Sequence, residues 1–296
     1  MTERKNKKYL ADIVIIGLLL ITAAHFSFKD LTEIPRLWFD DGLVMQLAKN
    51  IAVSGHYGID IAPNQFTAYP YYITVGYPVI LPAALAIKIF GATLWAPRFV
   101  AVLFLLGMVL SFYFLARSFY GRAAAAVSAA LLISFPPLYG NGKALLGEVP
   151  GMMYFFLSII LWQIGHRSSR RNYLYLFYAL SGLSAGLALA SKPSYFLIIP
   201  GLMILLFLEY LEHVGKYARR LISWCGGFFV AAAAWFLVTV PRPYSAKTFK
   251  DILDYYLNSY ADANVWNNIS ANASKLFTDG SAILFLVLFL AVFVSF

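Results

Sequence analysis

The sequence predicts an all-α fold: a polytopic bundle of transmembrane helices, with interfacial helices carried in its first outer loop. Three observations lead there. Hydrophobic residues make up 61% of the chain and charged residues only 12%, about half the charge of an ordinary soluble domain. Mean hydropathy is +0.71. Apolar runs recur along all 296 residues, and the basic residues gather in short clusters between them, the pattern that membrane topology imposes.

Eight apolar segments are expected to span or enter the bilayer: 11–28, 96–116, 123–137, 150–165, 173–191, 195–211, 221–240 and 280–296. The first follows a basic stretch, as in a signal peptide. No clean small-residue cleavage site follows it, so it reads as a retained helix. The eighth runs into Phe296 with no polar cap, so the sequence is expected to be truncated at its C-terminus.

The net charge of +9 is not a nucleic-acid signal, because the topology accounts for it. With the N-terminus in the cytoplasm, the cytoplasmic segments hold 12 of the 23 basic residues and only four acids, namely Glu3, Asp12, Glu209 and Glu212. Every short loop then obeys the positive-inside rule. A multi-pass plasma (inner) membrane protein is expected, with its active site on the outer face. The lone cysteine, Cys225, excludes an intrachain disulfide and argues against a zinc-thiolate centre.

This topology leaves a long outer loop at 29–95, a short one at 136–149, a tight turn at 191–194 and a second long loop at 241–279. The first long loop is ordered. In GLVMQLAKNIAVSG, the residues Leu43, Val44, Leu47, Ile51 and Val53 recur near helical spacing. YPVILPAALAIKIFG is apolar but punctuated by Pro78 and Pro82. Both stretches are too short to cross a bilayer and read as helices lying in its interface.

The chemistry concentrates on the outer face. Asp40 and Asp41 open the first interfacial helix (WFDDGLVMQLAKN). Two adjacent like charges help no core. They either cap the helix and complement its dipole, or serve as a general base or metal ligand at the membrane surface. Glu148, in GNGKALLGEVPG, stands where the short outer loop enters a helix. It is either a solvated acid paired with Lys143 or a functional acid. Lys192, in LALASKPSYFL, either snorkels to the interface or faces a phosphate, and Pro193 fixes its turn. Arg98 opens the second spanning helix and suits a phosphate or an interfacial lipid. His56, in SGHYG, is a weaker candidate ligand, as is His25. His166 and His213 fall on the cytoplasmic side. Asn268 (NIS) and Asn272 (NAS) fit a glycosylation acceptor pattern that is common by chance.

Five stretches stand in order along this topology: FDDGLVMQLAKNIAVSGHYGI, GYPVILPAALAIKIFG, APRFVAVLF, LLGEVPG and GLSAGLALASKPSYFLIIPGLMILL. Their order and spacing resemble the polyprenyl-phosphate-dependent membrane glycosyltransferases of the GT-C fold, the group that includes protein-mannosyl and aminoarabinosyl transferases. The resemblance runs from about residue 10 to 240. It implies one transmembrane glycosyltransferase domain over 1–296, lacking the further helices and soluble domain usual in such proteins. It also implies inverting transfer of a sugar from an undecaprenyl- or dolichyl-phosphate donor to a glycan, lipid or protein acceptor. The family's first-loop acid maps to Asp40, with Asp41 where relatives often have Glu. The second-loop acid maps to Glu148, and the Lys-Pro turn to Lys192 and Pro193. Some relatives carry a lysine before the proline of the second interfacial helix, where residues 74–78 here read Thr-Val-Gly-Tyr-Pro. The donor phosphate would then meet Lys192, Arg98 or Lys143, or a divalent metal ion. The rival class is a transporter or flippase of a lipid-linked intermediate. Such proteins keep ionisable residues near the midplane, where the predicted segments have almost none.

Overall fold

The structure, a computed structural model, describes residues 2–62, 65–68, 75–197 and 214–239, together with residues 201, 202, 204, 207, 250, 251, 254, 270 and 274. The chain divides into two compact units, Met1–Arg242 and Pro243–Phe296. Most of the expected segment at 195–211, the loop at 241–279 and the segment at 280–296 lie outside the described residues, as do His213, Asn268 and Asn272.

The first unit is helical. Its elements are α1 (Thr2–Phe28), α2 (Phe39–Ser54), α3 (Tyr77–Phe90), α4 (Trp95–Ile133), α5 (Pro136–Asn141), α6 (Glu148–Arg167), α7 (Arg171–Ser191), a 3₁₀ turn (Pro193–Leu197) and α8 (Val214–Thr239). Five of these helices are long and apolar enough to cross a membrane: Leu10–Phe28, Trp95–Ile133, Glu148–Arg167, Arg171–Ser191 and Ala218–Val238. One expected all-helical loop also carries strand. Gly58–Ala62 (β1) pairs antiparallel with Gln65–Ala68 (β2), and the Asn50 amide at the end of α2 secures β1 by donating to the Gly58 carbonyl at 2.8 Å.

Helix α4 contains both segments expected at 96–116 and 123–137. They are arms joined through Gly121, whose backbone (φ 82°, ψ −179°) is not helical. Only glycine adopts that conformation without strain. The arms fold back on each other, so Tyr113 and Ala116 share one apolar cluster with Ala125 and Ala129, completed by Ile15, Ile16 and Leu19 of α1. Asp12 lies in this seam. It accepts from Arg122 Nε and pairs with Arg117, both at 2.6 Å, and accepts from the Tyr113 hydroxyl at 3.2 Å. An acid in an apolar helix is tolerated when its charge is met in this way.

Helix α7 packs against α6 and α8. Gly182 of α7 lies against the Trp224 backbone of α8, and Gly227 of α8 against the Ala179 backbone of α7, so a Cβ at either position would collide with main chain. Small residues allow this close approach, the usual means by which helices associate in lipid. The two short helices between α1 and α4, namely α2 and α3, pack on each other and on the start of α4. Val44, Leu47, Val79, Ile80, Ala83 and Ala101 form that core, and Leu145 from the approach to α6 inserts into it. This packing sets the start of α2 beside the start of α6.

Candidate active site

The acidic pair divides into two unlike environments. Asp41 is fully buried. Its Oδ2 pairs with Arg98 at 3.3 Å, and its Oδ1 accepts the Leu145 N–H at 2.8 Å. Arg98 is equally buried. It donates Nη1 to the Leu31 carbonyl at 2.9 Å and Nη2 to the Pro35 carbonyl at 2.6 Å. Arg98 therefore ties three pieces together: the chain leading to α2, the first turn of α2, and its own helix α4. Burial pushes the Asp41 carboxyl above its ordinary pKa, while the Leu145 N–H and the Arg98 charge act in the opposite sense. Helix capping does not explain Asp41, because Trp38 stands at the N-cap and no side chain caps the helix.

Asp40 is exposed. It makes no hydrogen bond or ion pair among the described residues. It rides on a helix terminus that its neighbour holds rigidly.

The other predicted residues gather at the same end of the bundle, with one exception. Glu148 opens α6 and pairs with Lys192, which follows α7. The Tyr195 hydroxyl donates to the Glu148 carbonyl, joining the 3₁₀ turn to the start of α6. Lys143 is buried and does not pair with Glu148. Its ammonium donates to the Lys29 carbonyl at 2.7 Å. Burial lowers its pKa, the Arg98 charge adds to that, and Asp30 opposes it. His56 lies apart, beyond the far end of α2, whose 16 residues span ~24 Å.

A cavity of about 670 Å³ opens at this corner. Trp38, Met108, Leu138 and Met152 give it apolar walls, and Arg36 and Glu148 stand among its lining. Arg36 is the residue that sequence reasoning missed. The available signal was its position as an unmatched base four residues before Asp40 on the outer loop. It is exposed and makes no ion pair among the described residues.

Chemically, the cavity offers Arg36, Glu148 and an apolar wall; Asp40 and Lys192 are not among its lining, but Asp40 follows the lining residue Trp38 by two positions and Lys192 pairs with Glu148. Among the described residues the corner does not assemble the ligand set of a divalent cation. No group of three or more His, Cys, Asp or Glu side chains comes together among the described residues, Asp41 is committed to Arg98, and Glu148 to Lys192. A hard cation needs several oxygen ligands at once.

The fold and this corner define a helical membrane protein of the GT-C type, with a rigidly held acidic helix start beside a cavity. Residues 80–241 match the family described as dolichyl-phosphate-mannose-protein mannosyltransferase, and since this is more than half of its residues, the chain belongs to that family. Among solved structures it is similar to ArnT from Cupriavidus metallidurans bound to undecaprenyl phosphate, with a TM-score of 0.63 and 16% identity over 82% of this chain and 43% of that one. It is also similar to the archaeal oligosaccharyltransferase AglB from Archaeoglobus fulgidus, in complex with an inhibitory peptide and a dolichol-phosphate. There the TM-score is 0.53 and the identity 17%, over 97% of this chain and 37% of that one. The chain thus spans less than half the length of either structure. No curated protein sequence matches it.

Proposed function

We propose that the protein is part of an integral-membrane inverting glycosyltransferase, which moves a sugar from a polyprenyl-phosphate donor to an acceptor on the outer face of the membrane. The observation that carries this reading is the division of labour between adjacent acids. Asp41 is buried and bonded to Arg98 and Leu145, while Asp40 is exposed and makes no ion pair among the described residues.

In this reaction Asp40 accepts the proton of the acceptor hydroxyl. That oxygen attacks C1 of the sugar from the face opposite the phosphate. The C1–O bond breaks, its electron pair leaves on the polyprenyl phosphate, and the anomeric configuration inverts. Arg36 and Lys192 offset the charge that builds on the leaving phosphate, which positioned cations do most effectively where water is scarce. Glu148 holds Lys192 in place through their ion pair. The apolar side of the cavity suits the start of the prenyl chain. Arg98 and Lys143 act through the backbone they hold, since both are buried and donate to the Leu31, Pro35 and Lys29 carbonyls, and Arg98 also pairs with Asp41. Support for the lipid-linked donor comes from family membership and from the undecaprenyl phosphate and dolichol-phosphate in the similar structures. The outer-face assignment rests on the basic clusters at the other ends of the helices.

The test uses full-length protein in membranes supplied with radiolabelled polyprenyl-phosphate sugars. Transfer by the wild type, reduced ~10²–10⁴-fold in Asp40→Asn, is the expected result. Donor binding without transfer by the wild type would instead indicate a lipid flippase.

A further inference from the structure

A second cavity, of about 700 Å³, lies at the opposite end of the bundle. It forms where α6 ends and α7 and α8 begin. Ser168, Ser169, Arg171, Tyr175, Arg219 and Arg220 line it. The 20 residues of α6 separate it from the Glu148–Lys192 pair by ~30 Å, so it shares no residue with the candidate active site.

Three features make this more than a charged surface. First, three arginines line one concavity, and none of its described lining residues is acidic. Second, aromatic rings hold two of the three. Arg171 lies 5.8 Å from the centroid of the Tyr175 ring and donates Nε to the Tyr175 hydroxyl at 3.4 Å, and Arg220 lies 5.6 Å from the centroid of the Tyr178 ring. Such cation–π contacts restrain the guanidinium groups. Third, α7 begins at Arg171, so the unpaired N–H groups of its first turn face the same end of the bundle and favour an anion there. The positive-inside rule explains why bases lie on this side of the membrane. It does not require three of them to share a cavity with a helix start and the Ser169 hydroxyl.

We infer that this cavity is a binding site for a phosphate group, supplied by the headgroup of an anionic membrane lipid. Arginine is the side chain best matched to phosphate, through paired N–H donors. The volume exceeds what one phosphate needs and leaves room for the rest of a headgroup. Leu174 adds an apolar wall, and the cavity sits at the end of helices long enough to span the bilayer. Basic pockets between such helices recognise lipid headgroups by this chemistry. The site would bind lipid at the membrane surface opposite the reaction.

The test compares full-length protein in nanodiscs of phosphatidylglycerol and phosphatidylcholine, and reads retained lipid by native mass spectrometry. The double variant Arg171→Gln/Arg219→Gln alters exposed side chains and is expected to fold. It should retain phosphatidylglycerol on the order of tenfold less than wild type, from the loss of two charge-assisted contacts. The control Arg167→Gln/Arg170→Gln removes the same charge from the same end, outside the cavity, and should change retention by less than about twofold. Equal losses in both variants would overturn the proposal, since surface charge alone would then explain binding. So would an unchanged Arg171→Gln/Arg219→Gln variant in both the lipid assay and titration with inorganic phosphate. A variant that loses only inorganic phosphate, at unchanged lipid retention, would keep the phosphate site and assign it to a soluble ligand.

Discussion

Replacing Asp40 and Asp41 one at a time should produce opposite phenotypes, although the residues are neighbours. Asp41→Ala deletes one member of a buried ion pair. Arg98 is left buried, with only the Leu31 and Pro35 carbonyls as partners, and the Leu145 N–H loses its acceptor. Stranding a buried charge in this way costs about 3–5 kcal/mol, of which the orphaned N–H accounts for about 1–3 kcal/mol. That is a large share of the roughly 5–15 kcal/mol by which folded domains are stable, and corresponds to a fall in Tm on the order of 10 °C. Asp40→Ala removes an exposed side chain with no bonded partner among the described residues, and should leave Tm unchanged. Transfer should fall in both variants, for different reasons. Asp40→Ala should lose kcat at an ordinary Tm, whereas Asp41→Ala should lose folded protein. The assay pairs thermal unfolding in nanodiscs with sugar transfer from a radiolabelled donor. If Asp41→Ala kept the wild-type Tm while abolishing transfer, and Asp40→Ala kept both, the assignment of base and anchor would be reversed.

Three other outcomes are expected. Glu148→Gln and Lys192→Gln break a partly exposed ion pair, so each should change stability by at most about 1 kcal/mol while lowering kcat/KM, and the double variant should lose little more than either single one. Gly182→Val drives a side chain into the Trp224 backbone and should cost about 1–3 kcal/mol or more, seen as a lower Tm and less folded protein in the membrane. Stability should rise with pH on approaching the ordinary lysine value of 10.5, because burial lowers the folded-state pKa of Lys143 and the unfolded chain then binds more protons in that window. Lys143→Met should remove that part of the slope in a pH series of unfolding measurements.

Much of the fold was legible because membrane insertion reads local composition. Hydropathy over some 20 residues marks a span without reference to the rest of the chain, and six predicted segments correspond to the five long helices described above, two of them to the arms of α4. The break at Gly121 was legible as a gap between two apolar runs, since glycine and a following arginine interrupt them there. The short helices α2 and α3 were visible in the same way, from spacing and from length too short to span. The hairpin β1–β2 was not, because a two-stranded ribbon of nine residues depends on its contact with Asn50 as much as on its own pattern.

The site divides along the same line. Sequence alone determined that Asp40, Asp41, Glu148 and Lys192 stand at one end of the bundle, because the topology places every loop on one side or the other. Only the tertiary structure decided what each meets there. Asp41 meets Arg98 across 57 residues and Leu145 across 104, and Glu148 meets Lys192 rather than Lys143. Those pairings follow from how α2, α4, α6 and α7 pack, and no window of sequence contains them. The electrostatic environment of a carboxylate is set by the groups within a few ångströms of it. Two identical, adjacent aspartates can therefore differ, one buried and bonded and one exposed.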